Sequence, residues 1–526
     1  MKTIPVIDLF AGPGGLGEGF ATFQTADGCQ PFTIALSVEK DPYAHQTLIL
    51  RSFFRQFTPE AAPEEYYTYL RKADEPESHR RRCLFDAYPE QARRAADTAL
   101  FAELGVEDAL AVRERINRSL YGSTDFVLLG GPPCQAYSVM GRSRNSGNPN
   151  YRATEDKRQR LYVEYLQVLA DHHPAIFIME NVKGLLSATL ENQRIFERIL
   201  EDLRSPCEAV IREGRCLADG RRRTRYNLRS LVQFENGNTE DLHRFIIRME
   251  RHGIPQARHR LIILGVRSDL NAESVATLQE SNPITVKEVI SDLPEVRSGL
   301  SRQEDTPDRW RDSVRQIYSF SFMNGNAAAE GRMIIKAVEG AVESLSVKQL
   351  SRGGEFVKCR PQTQYRPDWF VDSRLQGVCN HTTRLHIPAD LYRYLYAACY
   401  AGIRNRSPEL RDFPIELLPE HKNAKRSIQD GAFDDRFRVQ MPDRPSTTVT
   451  SHLAKDGHYF IHPDPGQCRS MTVREVARLQ TFRDNYFFCG PRTAQYIQVG
   501  NAVPPLLANQ IAASVFRLLK ECGLAE

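Results

Sequence analysis

The sequence predicts an α/β protein built on a doubly wound sheet, followed by a second, smaller domain. Three observations lead to this prediction. Short apolar segments alternate with helical patterns over the first half of the chain, a glycine-rich turn follows the first apolar segment, and the alternation ends near Arg267. Strands that alternate with helices are typical of parallel βαβ units packed around one sheet.

Five apolar segments are the predicted strands. They are Ile4 to Leu9, Phe32 to Val38, Asp125 to Leu129, Ala175 to Met179 and Leu261 to Val266. Short apolar runs bounded by turn signals are expected for strands that are buried on both faces of a sheet. The segment between residues 51 and 119 is rich in Glu, Arg, Ala and Tyr, and we expect a helical insertion there. The apolar pattern Leu506 to Leu519 predicts a terminal helix that packs back on the sheet.

Composition sets the broad class of the protein. The chain has 526 residues, of which 26% are charged and 41% hydrophobic, as in ordinary globular proteins with two or more domains. The net charge of +4 indicates no global attraction to polyanions, so any nucleic-acid surface must be a local patch. Eleven cysteines without a C-x-x-C pair argue against a zinc ribbon and a disulfide framework. With no signal region and no uninterrupted apolar stretch of membrane-spanning length, we expect a cytoplasmic protein and no bound metal.

A cysteine stands on a turn directly after a predicted strand. Residues Gly130 to Gln135 read GGPPCQ and follow the apolar run Phe126 to Leu129. Proline cannot continue a central strand, so the chain turns here and places Cys134 at the strand's carboxyl end, where open α/β sheets bind their ligands. A thiol in this position is a candidate nucleophile. The alternative is a small buried hydrophobic side chain, which is the usual role of a free cysteine.

The glycine-rich turn after the first strand is a candidate cofactor loop. Residues Asp8 to Gly17 contain G-x-G-x-x-G, which allows a tight turn and close approach of a ligand to the backbone. A dinucleotide enzyme would bind a pyrophosphate here, and a methyltransferase would bind the methionine part of S-adenosylmethionine. In either case Glu39, at the end of the second strand, could hold ribose hydroxyls. A tight turn with no ligand is the third possibility.

Five short motifs occur in a fixed order along nearly the whole chain. They are Asp8 to Gly12, Pro132 to Gln135, Glu180 to Val182, Gln256 to Arg260 and Gly500 to Pro505. This ordered set resembles the DNA cytosine-5 methyltransferases. The resemblance implies a Rossmann-like, S-adenosylmethionine-dependent methyltransferase sheet with a second, smaller target-recognition domain. It places the catalytic domain at 1-270 and 490-526, with the helical insertion at about 51-119, and the target-recognition domain and hinge at 271-489.

The resemblance also implies catalytic roles. Cys134 is the position of the nucleophile that adds to carbon 6 of cytosine, which activates carbon 5 toward a methyl sulfonium. Glu180 would act at ring nitrogen 3, Arg260 would grip the base, and Arg258 would hold the loop or a phosphate. The resemblance implies DNA contacts for Gln135, Ser138, Arg142, Arg144 and Gln256. Of these, Arg142 and Arg144 would lie on a mobile loop that closes over a flipped base.

The cofactor contacts follow from the same resemblance. Phe10 would stack near adenine and Glu39 would hold the ribose. The other implied contacts are Ala11, Gly12, Gly14, Gly15, Leu16, Pro132, Asn501 and Val503. The family's short G-D-x element, whose aspartate touches adenine, is not found cleanly in this sequence, so the adenine contact is unassigned.

The implied activity is methylation of cytosine carbon 5 in a specific double-stranded DNA sequence. Expected partners are double-stranded DNA and a cognate restriction endonuclease, with a monomeric, nucleoid-associated enzyme. Arginine-rich stretches that could meet DNA are Arg352 to Arg374 and Arg221 to Arg225, although charge runs are usually solvated faces. Three alternatives remain: methylation of cytosine in RNA, a dinucleotide-dependent oxidoreductase, and a catalytically silent DNA-binding module.

Overall fold

The computed structural model describes residues 3–107, 109–133, 157–190, 193–218, 223–233, 241–270, 276–325, 328–345, 350–420 and 436–525. Its strands, in chain order, are β1 Ile4–Leu9, β2 Phe32–Glu39, β3 Ala99–Phe101, β4 Val127–Gly130, β5 Ile176–Val182, β6 Thr189–Leu190, β7 Gln193–Arg194, β8 Tyr226–Arg229, β9 Ile246–Arg248, β10 Gln256–Ala257, β11 His259–Arg267, β12 Gly299–Leu300, β13 Gly353–Lys358, β14 Gly377–Thr382, β15 Leu385–His386 and β16 Ser446–Thr447.

The α-helices follow the same order. They are α1 Gly15–Ala21, α2 Pro42–Phe54, α3 Glu64–Arg71, α4 Glu77–Ala87, α5 Pro89–Thr98, α6 Ala109–Leu120, α7 Lys157–His172, α8 Ile195–Arg204, α9 Pro206–Arg212, α10 Val286–Ile290, α11 Pro307–Arg315, α12 Ala329–Ser344, α13 Pro367–Phe370, α14 Pro388–Arg404, α15 Val473–Leu479, α16 Arg492–Asn501 and α17 Pro505–Glu521.

The main sheet confirms the predicted α/β class and all five predicted strands. Its order is β3-β2-β1-β4-β5-β11-β8, with β9 also paired to β11. The strands from β3 to β5 are parallel. The last predicted strand, β11, runs antiparallel to β5, so the parallel βαβ pattern does not extend to this edge of the sheet. The edge strands β3, β8 and β9 were not predicted, because they are three or four residues long.

Local signals explain where the helices next to the sheet begin. Asp41 caps α2, because its carboxylate accepts hydrogen bonds from the amides of Tyr43 and Ala44 at 3.0 and 2.9 Å, and Pro42 takes the first helical position. The terminal helix α17 packs on α1, as the apolar pattern predicted. The predicted insertion is mostly helical, but it also contains β3, which joins the sheet beside β2.

The chain divides into two compact units. The first contains Met1–Ala62, Tyr88–Asn282 and Ala502–Glu526, and the second contains Pro63–Ala87 and Pro283–Asn501. These limits differ from the predicted 1-270, 271-489 and 490-526. In particular, part of the predicted insertion belongs to the second unit, where the Tyr67 hydroxyl donates to Asp372 at 2.8 Å and Arg80 pairs with Glu355.

The second unit has its own apolar core. The core joins Trp310 of α11 and Val338 of α12 to Leu395 of α14. Its last helices include α15, which begins with a capping box in which Thr472 and Glu475 exchange hydrogen bonds. The two α-helices α12 and α14 also contact each other directly.

One stretch in the described part of the chain, Arg492–Glu521, is long and apolar enough to cross a membrane by length and composition. Of its apolar window, 78% is buried inside the protein. Core helices of globular proteins pass the same test, so this stretch is weak evidence for a membrane segment.

Candidate active site

The candidate site lies at one edge of the main sheet. Strands β1, β4 and β5 are parallel neighbours, so their carboxyl ends meet at the same edge. The glycine loop follows β1, the Gly-Pro-Pro turn follows β4, and Glu180 and Asn181 lie at the end of β5. Predicted site residues that fall outside the described residues are Cys134, Gln135, Ser138, Arg142 and Arg144. Their roles stay predictions.

The turn that leads to Cys134 is held against the end of β5. The Asn181 side-chain amide donates a hydrogen bond to the Pro132 carbonyl at 3.1 Å, and its oxygen accepts one from the Val182 amide at 2.8 Å. A Cβ atom at Gly131 would stand 3.0 Å from Glu180 Oε2. The backbone just before the cysteine therefore lies beside the Glu180 carboxylate. The sequence motif placed Asn181 here, but only the structure assigns it this positioning contact.

Glu180 and Arg260 form an ion pair across two strands. The register pairs Ile262 with Glu180, so Arg260 is the diagonal neighbour of Glu180 on the adjacent strand. Arg260 Nε lies 3.0 Å from Glu180 Oε1, and both side chains are 14% exposed. A charge-assisted contact with this little exposure orients both groups and leaves part of each accessible.

The other two predicted site residues of the segment Gln256 to Arg260, which are Gln256 and Arg258, are buried. Arg258 is 2% exposed, and burial, together with the neighbouring Arg260, lowers its pKa well below the usual range. Burial also lowers the pKa of Arg260, and Glu180 opposes that shift. Gln256 is fully buried. The predicted DNA contacts of Arg258 and Gln256 remain predictions.

The backbone of the cofactor loop has the left-handed turns that glycine favours. Gly12 has φ 57° and Gly14 φ 91°, and the non-glycine Phe10 shares this region at φ 54°. The Gly12 amide donates to the Glu39 carboxylate at 2.7 Å, so the loop and the second strand's glutamate are joined. Burial raises the pKa of Glu39, while the hydrogen bonds that its carboxylate accepts lower it.

The glycine loop leaves open space beside its backbone at Gly12. Among the described residues, no heavy atom lies within 4 Å of a Cβ placed on Gly12. That open space borders the loop backbone and Glu39, whose carboxylate is the group type that holds ribose hydroxyls. Ala11 and Gly12 are partly exposed, whereas Gly14, Gly15 and Leu16 are buried behind them. The residues present are therefore compatible with the predicted cofactor.

The C-terminal segment from Val503 to Asn509 packs closely against this loop and α1. A Cβ on Gly15 would lie 2.2 Å from the Val503 carbonyl oxygen, and a Cβ on Gly19 would lie 2.3 Å from Ala508 Cβ. The Asn509 side chain also donates to the Gly19 carbonyl at 3.1 Å. The structure thus places Val503 beside the loop, and its cofactor contact stays a prediction. Asn501 is exposed and belongs to the second unit, and its cofactor contact stays a prediction.

Sequence reasoning missed a buried group of charges under the loop. Asp8 is 1% exposed, neither of its oxygens has a hydrogen-bond partner among the described residues, and burial raises its pKa to about 7. Glu18 of α1 is fully buried and pairs with Arg51 and Arg55, the latter at 2.8 Å. The available signal was an acidic residue inside an otherwise apolar strand and another inside a glycine-rich helix.

The structure also bears on the unassigned adenine contact. The short strand β3 ends beside Glu39, and the Ala102 amide donates to the Glu39 carbonyl at 3.1 Å. Glu103 follows, with its carboxylate 2.8 Å from Lys40 Nζ. An acidic side chain therefore stands at the carboxyl end of the third strand, where sequence reasoning had found none.

The arginine-rich stretches are only partly free to meet DNA. Within Arg352 to Arg374, Arg366 pairs with Asp368 at 2.9 Å and Arg374 with Glu64 at 3.7 Å. In the other run, Arg221 and Arg222 lie outside the described residues, Arg223 and Arg225 are exposed, and Arg225 lies 3.4 Å from Glu208. Most of the described charges thus have acidic neighbours, as expected for solvated faces.

Comparisons with known proteins agree with this geometry. The model of the family described as C-5 cytosine-specific DNA methylase matches residues 112–206 and 241–517. The type II methyltransferase M.Bpa9945I of Bacillus paralicheniformis is 31% identical, with 97% of this chain and 98% of the relative covered. M.AgeI of Thalassovita gelatinovora, also named a type II methyltransferase, is 25% identical, with 98% and 99% covered.

A solved structure shows the same fold. A DNA modification methyltransferase from an E. coli prophage superposes with a TM-score of 0.50 at 17% identity, covering 98% of this chain and 100% of its own. At this identity the likeness shows the fold alone. The family match over most of the chain and the full-length relative show that this chain belongs to the C-5 cytosine-specific DNA methylases.

Proposed function

We propose that the protein transfers a methyl group from S-adenosylmethionine to carbon 5 of cytosine in a specific duplex DNA sequence, with Cys134 as the nucleophile. The observation that carries this proposal is the Glu180–Arg260 pair beside the backbone that leads to Cys134. An acid and a fixed cation at the carboxyl edge of an α/β sheet are the groups that pyrimidine activation needs.

The proposed reaction begins with addition of a thiolate to the cytosine ring. The Cys134 thiolate adds to carbon 6 of an extruded cytosine, forming a C–S bond, while Glu180 supplies or shares a proton at ring nitrogen 3. Carbon 5 would then take the methyl group from the sulfonium, whose methyl–sulfur bond breaks so that S-adenosylhomocysteine leaves. Loss of the carbon 5 hydrogen as a proton and cleavage of the C–S bond restore the aromatic ring and the thiolate. Arg260 keeps the Glu180 carboxylate oriented and offers a positive charge beside the base.

The cofactor would be held by this chain's loop residues. S-adenosylmethionine, when bound, supplies an electrophilic methyl group. The Gly12 and Gly14 turns would admit its methionine part, Glu39 would accept ribose hydroxyls, and Val503 would support the loop from behind. The oxidoreductase alternative uses the same loop but gives no role to the Glu180–Arg260 pair or to Cys134.

Three partner statements belong to the same proposal. The substrate is duplex DNA, the enzyme is a monomer, and a cognate restriction endonuclease cuts the unmethylated site. The DNA substrate and the restriction–modification role are supported by the type II methyltransferase names of two relatives. Light scattering of the purified protein and digestion of modified and unmodified host DNA would test these statements.

A covalent trap tests the chemistry. The full-length protein is incubated with S-adenosylmethionine and duplex DNA containing 5-fluorocytosine, and the crosslinked peptide is sequenced by mass spectrometry. We expect the crosslink at Cys134 and its loss in Cys134→Ser. Cys83→Ser is the control, because Cys83 is an exposed thiol of the second unit. A crosslink on a peptide without Cys134, or methyl transfer that survives Cys134→Ser, would refute the proposal.

A further inference from the structure

A short segment of the second unit presents polar side chains on one side only. We call residues 358 to 364 the reading segment. Lys358, Arg360, Gln362 and Gln364 are exposed, whereas Thr363 between the last two is buried, and Cys359 and Pro361 are partly buried. Alternation of this kind indicates a chain with one face on the protein and the other in solvent. Pro361 favours an extended conformation at Arg360.

The backbone of the reading segment is fixed at several points. Lys358 ends β13 and pairs with Gly377 of β14. The Gln362 amide donates to Asp292 at 2.9 Å, and the Thr363 hydroxyl donates to the Glu288 carbonyl at 3.1 Å.

One of these anchors is itself held by a buried charge. The Asp292 carboxylate receives a hydrogen bond from Arg478 Nη1 at 2.9 Å, and the Arg478 side chain is fully buried. A backbone held in this way loses little conformational entropy when its side chains bind a partner. The segment is therefore a preorganised support for whatever the exposed side chains contact.

The exposed side chains of the reading segment are available. Within the part of the chain that the structure describes, the side chains of Lys358, Arg360, Gln362 and Gln364 make no hydrogen bond or ion pair. The sequence holds no acidic residue between Glu355 and Asp368. Some other exposed arginines of this unit do have an acidic partner, for example Arg309 with Glu304 at 3.0 Å. The segment thus offers uncompensated donors and a local positive charge.

The chemistry and spacing fit base edges in a major groove. Arginine and lysine pair with guanine O6 and N7, and glutamine pairs with adenine N6 and N7. Same-face side chains of an extended chain stand roughly 6.7 Å apart, which is about two base-pair steps of duplex DNA. Lys358, Arg360 and Gln362 would therefore meet bases spread over about four steps.

We propose that Lys358, Arg360 and Gln362 determine the DNA sequence that this enzyme recognises, with Arg360 on a guanine and Gln362 on an adenine. The inference rests on the proposed function, because it assumes duplex DNA as the substrate. It assigns to three side chains a choice that the family resemblance leaves open.

Binding selection tests the inference without requiring methyl transfer. Full-length wild-type protein and the variants Arg360→Ala, Gln362→Ala and Arg309→Ala are each mixed with a randomised duplex library and S-adenosylhomocysteine, and the bound DNA is sequenced. We expect wild-type protein and the Arg309→Ala control to select the same motif. Arg360→Ala should lose preference at one guanine by roughly 5- to 150-fold, with the other positions retained. Gln362→Ala should lose preference at one adenine.

The remaining outcomes separate the possibilities. If Arg360→Ala keeps every sequence preference, the inference is wrong. If the variant instead loses affinity equally for all sequences, and the slope of log K against log salt concentration falls by about one, Arg360 contacts a phosphate and not a base. A wild-type protein that selects no motif would also overturn it. If wild-type protein selects a motif but methylates no cytosine, the proposed function fails while the reading residues are still assigned. Equal melting temperatures for all four proteins would show that the exposed substitutions leave the fold intact.

Discussion

Replacement of Gly15 by alanine tests the contact between the cofactor loop and the end of the chain. The new Cβ would stand 2.2 Å from the Val503 carbonyl oxygen and 3.2 Å from its amide nitrogen. Both are backbone atoms, so no side chain can rotate away. The Val503 segment must move by roughly 1 Å to reach ordinary contact distances.

The expected cost follows from this displacement. Overpacking of a close contact destabilises a protein by about 1–3 kcal/mol, which lowers the melting temperature of a unit this size by about 2–4 °C for each kcal/mol. Because Val503 supports the loop, S-adenosylmethionine affinity should fall as well. Calorimetric titration with S-adenosylmethionine and thermal unfolding measure the two effects separately.

Two other glycines serve as controls for Gly15→Ala. Gly19→Ala clashes with α17 at 2.3 Å one turn further along α1, so it should lower stability with a smaller effect on cofactor binding. Gly340→Ala lies in α12 with no described atom within 4 Å, so it should leave both unchanged or raise stability by about 1 kcal/mol. Wild-type melting temperature and wild-type cofactor affinity in Gly15→Ala would refute the reasoning.

Three further predictions concern buried polar groups of the first unit. Asn181→Ala removes the bond to the Pro132 carbonyl, so methyl transfer should fall and unfolding free energy should drop by about 1–3 kcal/mol, as urea denaturation would show; unchanged kinetics would rule out a positioning role. The pKa of Asp8 is about 7 in the folded protein and 3.8 in the unfolded chain. The free energy of unfolding should therefore be highest below pH 4 and should fall by up to about 4 kcal/mol as the pH rises to 7. Asp8→Asn should flatten that pH dependence and stabilise the protein at pH 8, and an unaltered pH profile would contradict this. Glu18→Gln leaves Arg51 buried without its charge partner and should destabilise the protein by about 3–5 kcal/mol, whereas a thermal scan like that of wild type would show that the pair contributes nothing.

Buried histidines illustrate how far sequence reasoning reached in the second unit. His381 is a buried structural residue: its two ring nitrogens lie 2.9 Å from the Thr472 hydroxyl and 2.8 Å from the Pro294 carbonyl, and burial lowers its pKa. What could not be predicted was the identity of these partners, which are 91 and 87 residues away in the chain.

The sequence by itself determined the features that depend on neighbouring residues. Short apolar runs located β1, β2, β4 and β5, and the cofactor loop follows from glycines whose left-handed turns other residues rarely adopt. The order of the five motifs was enough to identify the family, because each motif is a short local string.

Only the tertiary structure decided what depends on distant segments. In the folded chain β11 runs antiparallel to β5, and β3 from the helical insertion pairs with β2. Residues Pro63–Ala87 of the same insertion belong to the second unit. The tertiary structure also explained why position 15 must be glycine, because the atom that excludes a side chain belongs to Val503, far along the chain. The physical reason is that strand direction, burial and steric exclusion arise from pairs of segments that meet only after folding, so no local pattern encodes them.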